Sequence, residues 1–355
     1  MTPAQMRQTL RRIDRDLVKL LNERAKLVQK LAAASSAHDA VFDWPEIEEI
    51  VAQAVQANKG PLREETIRTV FRELASGVRA LLAPTRVVYL GPMYSYSHLA
   101  ASERFGTQVE LVPVATIAAV FEALNRNQAD YGLVPIENST DGRVSDTLEM
   151  FARLPVRICG MVPLRIHHHL LGKCPRHKVR EVYSKPQALS QCRDWLAKQM
   201  PDARLVEMTS TAAAARLAAE KPGVAAIASR QAAAQYGLDV LAENIEDNRH
   251  NMTRFAVIGG QPSTPTGNDK TALMFEIAHR PGALAEAMMV FKRCGLNLTW
   301  IESFPIADTE NEYLFFVEFE GHCEDANAVR AINSLRRKTE RLEILGSYPE
   351  VATIG

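Results

Sequence analysis

The sequence predicts a multidomain protein with three folds in series: an all-α segment at residues 1–84, an α/β segment at 85–260 and, past a linker at 261–270, a small α+β segment at 271–355. Three observations predict it. Apolar residues recur at three- and four-residue steps up to Ala83-Pro84, short buried runs alternate with helical ones beyond it, and a Pro-, Ser- and Thr-rich stretch precedes a last βαββαβ order. At 355 residues the chain exceeds one ordinary core. Its 42 basic and 42 acidic side chains cancel, so there is no electrostatic case for nucleic acid or an anionic membrane as partner. Five scattered cysteines without C-x-x-C spacing argue against a disulfide framework or a zinc site, and the cytoplasm is the expected compartment. A charged helix follows the N-terminus where a signal would be apolar, and no apolar run reaches membrane-spanning length.

In the first segment Met6, Leu10, Ile13, Leu17, Leu20, Leu21, Leu27, Val28 and Leu31 trace one long amphipathic helix. Arg24 interrupts this seam, where a guanidinium needs an anionic partner or a polar cavity. Pro45 can open a second helix, and Gly60-Pro61 separates it from a third carrying Ile67, Val70, Phe71, Leu74, Val78 and Leu81. Three helices so unequal in length do not close a core alone, so pairing with a second copy is expected, as a homodimer or a dimer of dimers.

This module resembles the helical chorismate mutase domain that opens many bifunctional chorismate mutase–prephenate dehydratases. The resemblance implies arginines and a lysine on the two carboxylates of chorismate, with a glutamine and a glutamate at the ether oxygen and hydroxyl. Arg7 and Arg24 fall where the family has its first-helix arginines, and Glu48 matches its glutamate. Ser35, however, stands at the lysine, Ile47 at the second-helix arginine, and Val78 and Leu82 at the last-helix serine and glutamine. A pericyclic rearrangement is accelerated by holding one conformer and stabilising charge at the breaking ether oxygen, and these replacements remove the donors there. An impaired mutase kept for dimerisation or regulation is therefore expected, with a fully bifunctional enzyme as the alternative.

From Arg86 onward strands and helices alternate: Arg86–Leu90, then the loop Tyr94-Ser95-Tyr96-Ser97-His98 opening a helix; 109–114, then a helix capped by Thr116; Tyr131–Pro135, leading into Ile136-Glu137-Asn138-Ser139. Later units are Glu181–Ser184 before a helix near Pro186, 205–208 before Ser210-Thr211, and Val224–Ala228 before Ser229. Ligands of such sheets bind at the carboxyl ends of strands, where helix N-termini offer free N–H groups. Each Ser, Thr or Asn there is individually explained as a helix cap; together they suggest one anionic ligand. No G-x-x-x-x-G-K or G-x-G-x-x-G follows a strand, so carboxylates are favoured over a nucleotide, and no cofactor is expected.

Two further stretches stand out. Asn248-Arg249-His250-Asn251-Met252-Thr253-Arg254-Phe255 packs donors and acceptors against the start of an apolar strand, either as a self-capping turn or as an anion-binding surface with a proton donor. His167-His168-His169 lies in an apolar run read as a strand, where only His167 and His169 share a face. No acidic or cysteine pair completes a metal site beside them, and His168 either lines the cleft or packs.

Gly91-Pro92 with Ser95 to His98, Pro135 to Ser139, Val182-Tyr183-Ser184 with Pro186-Gln187-Ala188, Ser210-Thr211-Ala212 and Asn251 to Phe255 together resemble the motif set of prephenate dehydratase, in order and at family spacing. Lys185 departs from the family's usual histidine. The resemblance implies two α/β lobes like type-II periplasmic binding proteins, with the chain returning at its end beside the first strand. It further implies decarboxylative dehydration of prephenate to phenylpyruvate, with Thr253 donating to the departing hydroxyl and Arg254 fixing a carboxylate. Ser97, Glu137, Asn138, Ser139, Ser184, Gln187, Ser210, Thr211, Asn251 and Phe255 are implied around the substrate.

The last segment reads as a strand at Thr271–Ala278, a turn at Arg280-Pro281-Gly282, a helix at Ala283–Cys294, strands at 296–304 and 312–319, a helix at 325–338 and a strand at 342–348. Such a sheet leaves a face or edge to cover, which dimerisation would supply. It resembles the ACT domain through which prephenate dehydratases sense L-phenylalanine. Gly282, Ala283 and Leu284 match the family's helix start, and Glu302 and Ser303 its Glu-Ser-Arg-Pro motif, with Phe304 in place of the arginine. Phe304 is either core filling or a change in feedback. A non-catalytic sensor remains the competing class, against which Thr253-Arg254-Phe255 speaks.

Overall fold

The computed structural model describes residues 1–34, 44–259, 263–305, 313–351 and 353–354. Ser35, the linker's Gln261 and Pro262, and Glu312 of an expected strand lie outside the described residues. The chain divides into two compact units, 1–85 with 105–110, and 86–104 with 111–355.

The first unit carries α1 (Pro3–Ala34), α2 (Trp44–Ala57) and α3 (Glu64–Leu82). Its small core includes Val28, Ile47, Val51, Ala75 and Val78. The rest of the α1 seam is outside it: Met6, Leu10, Ile13, Leu17, Leu20, Leu27 and Leu31 are all exposed, Leu17 to 51%. Gly106 (φ +74°) belongs to this unit and lies so close to Ser76 that a Cβ would overlap it. Beside it the Thr107 backbone N–H and hydroxyl both donate to Glu73.

In the second unit the chain runs through β1 (Arg86–Leu90), α4 (Tyr96–Phe105), β2 (Glu110–Val114), α5 (Ile117–Asn125), β3 (Tyr131–Asn138), β4 (Gly142–Arg143), α6 (Ser145–Arg153) and β5 (Ile158–Arg165). It then crosses into β6 (His169–Gly172), β7 (Glu181–Ser184), α7 (Pro186–Gln191), α8 (Arg193–Gln199), β8 (Arg204–Glu207), α9 (Thr211–Glu220), β9 (Val224–Ala228), α10 (Arg230–Tyr236) and β10 (Asp239–Ala242). It returns through β11 (Met252–Gly259). Two sheets result, ordered β2-β1-β3-β11-β5, with β4 beside β3, and β10-β6-β9-β7-β8. Each is the centre of one lobe. The second lobe has separate apolar layers on its two sides, one including Leu171, Ala214 and Ala233, the other Leu170, Leu189 and Ile227.

Two expectations need correction. The returning strand β11 does not lie beside β1; it runs antiparallel between β3 and β5. The histidines are not on one strand either, because β5 ends at Arg165 and β6 begins at His169, leaving Ile166 to His168 as the crossing between lobes. Strand β5 is buried on both faces along most of its length, so it carries no period-2 alternation to mark its limits.

The C-terminal part follows the expected order: β12 (Asp269–Glu276), α11 (Ala283–Cys294), β13 (Leu298–Pro305), β14 (Tyr313–Glu320), α12 (Ala326–Arg336) and β15 (Arg341–Pro349). Its sheet, β13-β14-β12-β15, packs one face on α11 and α12 through Leu273, Phe275, Phe291, Phe319 and Leu335. The other face does not wait for a second copy. Met274, Leu314, Phe316, Leu345 and Tyr348 join Val134, Phe151, Met161, Ala256 and Ile258 of the first lobe in one apolar cluster. Gly346 permits this approach, since a side chain there would overlap the Ile158 carbonyl.

Candidate active site

The site grows from the pairing of β11 with β3, where Thr253 faces Asn138 and Arg254 faces Glu137. Successive residues of a strand point to opposite faces, so these are two sites back to back. On the Thr253 face the Asn138 carboxamide is set by its own loop: its Oδ1 accepts the N–H groups of Thr140 (2.9 Å) and Asp141 (3.0 Å). That leaves Nδ2 as the donor, to Thr253 Oγ1 at 2.9 Å and to Asn251 Oδ1 at 3.1 Å. Among the described residues no acceptor takes the Thr253 hydroxyl hydrogen, so the group is a donor by default.

Asn251, 1% exposed, gives its Nδ2 to Gln191 Oε1 at 2.7 Å, and Gln191 Nε2 reaches Asp141 Oδ2 at 2.9 Å. Gln191 ends α7 in the second lobe, so it ties that lobe to the Thr253 loop of the first. Sequence reasoning missed it. Nothing in one sequence distinguishes a glutamine closing a short helix from an exposed polar residue. Ser139 holds the two segments together: its Oγ accepts the Met252 N–H at 2.9 Å, and its backbone N–H donates to the Met252 carbonyl at 2.8 Å.

The other expected residues lie in the second lobe or in caps. Ser184 is fully buried and donates its hydroxyl to the Ile227 carbonyl at 2.7 Å. Ser210 caps α9 by accepting the Ala213 N–H at 3.1 Å, with Thr211 buried behind it. Gln187 is exposed in the first turn of α7. These positions sit at the carboxyl ends of the neighbouring parallel strands β7 and β8. Ser97 is buried in the first turn of α4, and Phe255 is buried in the core beneath Thr253.

Arg254 and Glu137 occupy the face of the pleat opposite Thr253. The guanidinium meets Glu137 at 3.0 Å and Glu318 of β14 at closer range. Glu318 is 1% exposed and also accepts from Tyr348 and from Thr299 Oγ1, the latter at 2.6 Å. Burial works against both charges. Glu318 nevertheless raises the Arg254 pKa, and Arg254 with the Thr299 and Tyr348 hydroxyls holds Glu318 below the usual carboxylate range. Arg254, Lys270, Glu318 and Tyr348 line a cavity of about 230 Å³.

In the C-terminal part a cavity of about 550 Å³ opens at the start of α11, lined by Arg280, Gly282, Ala283, Leu284, Met288 and Tyr313. Gly282 caps α11 at φ +85°. Glu302 and Ser303 do not line it; they lie on β13, where Glu302 pairs with Arg143 at 2.9 Å. In the helical unit Arg7 is exposed, while Arg24 and Glu48 are half-buried. Burial lowers the Arg24 pKa and the charge of Glu46 opposes this. Ile47 and Val78, which replace polar residues of the resembled mutase, are both buried.

The family model of prephenate dehydratase matches residues 87–263, and that of chorismate mutase type II matches residues 6–82. A bifunctional chorismate mutase/prephenate dehydratase of Aquifex aeolicus is 40% identical over 98% of this chain and 97% of its own. Among solved structures, a prephenate dehydratase of Arthrobacter aurescens in complex with L-Phe superposes with a TM-score of 0.70 at 31% identity, over 75% of this chain and 90% of that one. A protein described as a quorum-quenching acylase superposes at 0.68 and 30% identity, over 75% of this chain and 98% of that one.

Proposed function

This chain belongs to the bifunctional chorismate mutase/prephenate dehydratase family, and from that premise we propose that it converts prephenate to phenylpyruvate at the junction of its two lobes, with Thr253 as donor to the departing hydroxyl. The acylase among its structural neighbours is a reminder that the fold alone does not choose the reaction. The observation that carries the proposal is the Thr253 hydroxyl, which accepts from Asn138 Nδ2 and whose hydrogen has no acceptor among the described residues. A threonine hydroxyl is too weak an acid to drive an ordinary elimination. Here the ring becomes aromatic as carbon dioxide and hydroxide leave, so the chain has to orient the ring, hold two carboxylates and hydrogen-bond the oxygen that departs. Asn138 and Asn251 position Thr253. Ser184, Gln187, Ser210 and Thr211 are proposed for the carboxylates, where the N-termini of α7 and α9 offer backbone N–H groups.

For the helical unit we propose an impaired mutase, supported by the apolar burial of Ile47 and Val78 where chorismate would need polar partners. Full bifunctionality is the second reading, favoured by the 40% identity with the Aquifex aeolicus enzyme across both parts. Paired assays separate them. Prephenate alone should give phenylpyruvate at ordinary enzyme rates, whereas chorismate alone should give none above the uncatalysed rearrangement. Phenylpyruvate formed rapidly from chorismate restores the second reading, and inertness toward prephenate removes the first.

The exposed seam from Met6 to Leu31 is proposed as the face that pairs two copies, as a homodimer or a dimer of dimers in the cytoplasm. The cavity at Gly282 to Leu284 is proposed to take L-phenylalanine, its carboxylate at the start of α11. Added L-phenylalanine should therefore bind in calorimetry and lower prephenate turnover; no heat and no inhibition at millimolar concentration defeats this.

A further inference from the structure

Four rings form a row that starts in the first lobe and ends in the second. Tyr89 of β1 is fully buried, and its ring centroid lies 5.4 Å from that of His98 in α4. His98 in turn stands edge-on to Tyr94, at 5.3 Å, and Tyr94 stands edge-on to Tyr236, at 6.0 Å. Tyr236 is the last residue of α10. The contact between Tyr94 and Tyr236 therefore joins the lobes directly, outside the two segments through which the chain crosses, 166–168 and 243–251.

Tyr94 reaches that position in an unusual backbone conformation. It is the third residue of a turn closed by the Ser95 N–H, which donates to the Pro92 carbonyl at 3.2 Å, and its φ is +65°. Glycine or asparagine is usual there, and a bulky side chain adopts the left-handed region only where its surroundings hold it. The ring of Tyr94 has His98 on the side of its own lobe and Tyr236 on the other, both in the edge-on geometry that aromatic pairs favour.

The turn lies at the functional end of the first lobe. Because β1 and β3 run parallel, the turn at 92–95 and the loop at 139–141 that sets Asn138 leave the sheet at the same end. Two residues beyond Tyr94, the Tyr96 hydroxyl donates to the His167 carbonyl at 2.8 Å and lies 3.0 Å from Nδ1 of the buried His168. His168 Nε2 is 2.9 Å from Gln191 Oε1, so the turn borders both the crossing and the network around Thr253.

We propose that Tyr94 and Tyr236 are positioning residues, a ring-to-ring latch that favours the spacing of the lobes at which both can hold one prephenate molecule. This rests on the functional reading given above, in which Thr253 stands in one lobe and Ser184, Gln187, Ser210 and Thr211 in the other. A substrate held from both sides binds in proportion to the fraction of molecules whose lobes have that spacing. Without the latch the fraction falls and KM rises. At saturation the substrate itself holds the lobes, so kcat changes little. The contact is between rings, and neither hydroxyl is needed.

The test uses the full-length protein with prephenate. Tyr94→Phe keeps the ring and should leave KM within about twofold of the parent. Tyr94→Gly removes the ring while fitting the left-handed turn, and should raise KM about 3- to 10-fold with kcat within about threefold. Tyr236→Ala should raise KM by a similar factor, and the two combined by no more than the larger single effect, as expected for one shared contact. An unchanged KM in Tyr94→Gly, or factors that multiply in the double variant, overturns the latch. Should Tyr236→Ala fail to fold, the other two variants decide: KM raised in Tyr94→Gly and not in Tyr94→Phe supports it, and equal values sink it. A parent inactive toward prephenate removes the functional reading and this proposal together. An active parent with an undisturbed Tyr94→Gly removes the proposal alone.

Discussion

Thr253→Val should lower kcat for prephenate about 10²- to 10³-fold while changing KM by no more than a fewfold, because the substitution keeps shape and removes the hydroxyl that would donate to the departing oxygen, along with its bond from Asn138. Thr253→Ser should recover most of the loss, since it restores a hydroxyl in the Asn138 bond. The measurement is the steady-state appearance of phenylpyruvate. A valine variant with near-parental kcat takes Thr253 out of the mechanism and leaves Asn138 and Asn251 as a structural turn. The prediction is large because the carboxylate in the hydrogen-bond network of Thr253, Asp141, is occupied by Gln191.

Arg254→Leu should have the next largest effect, and on stability. Its partner Glu318 is 1% exposed, and stranding one charge of such a pair costs about 3–5 kcal/mol. The pH dependence should change with it. In the parent, burial opposes the Glu318 charge, but Arg254, Thr299 and Tyr348 hold its pKa below 4.5, so its contribution is complete above the unfolded value and lost as pH falls through the lower folded one. In the variant, desolvation is left unopposed by the guanidinium and the folded pKa should rise above the unfolded value. Stability is then greatest at low pH and lost as pH climbs through the carboxylate range. Urea denaturation across that range reads the sign directly. KM per folded molecule should stay near the parental value; a KM raised tenfold or more with unchanged stability would return Arg254 to the substrate.

Thr253 and Arg254 also show how far the sequence could be read. The polar run ending at Phe255 marks a functional surface by composition, and its resemblance to the dehydratase motif names the chemistry. Which side of β11 each side chain takes follows only from the pleat, and what covers one of those sides from the packing of the ACT-like sheet against the first lobe. The histidine run was legible as unusual but misplaced on a strand, because a β5 buried on both faces hides where the strand stops. Ser184 and Ser210 were legible as polar strand ends, and their bonds to Ile227 and Ala213 show each also engaged in holding its own lobe.

The caps at Thr116, Ser210 and Ser229 and the helix from Ala283 to Cys294 were determined by sequence alone, since they depend on local periodicity and on hydrogen bonds three or four residues apart. Tertiary structure alone decided the insertion of β11 between β3 and β5, the cover of the ACT-like sheet by the first lobe, and the partners of Gln191, His168 and Glu318. Those choices are made by contacts between residues tens to more than a hundred positions apart, where burial of apolar faces and the satisfaction of buried polar groups select the arrangement and no local pattern records it.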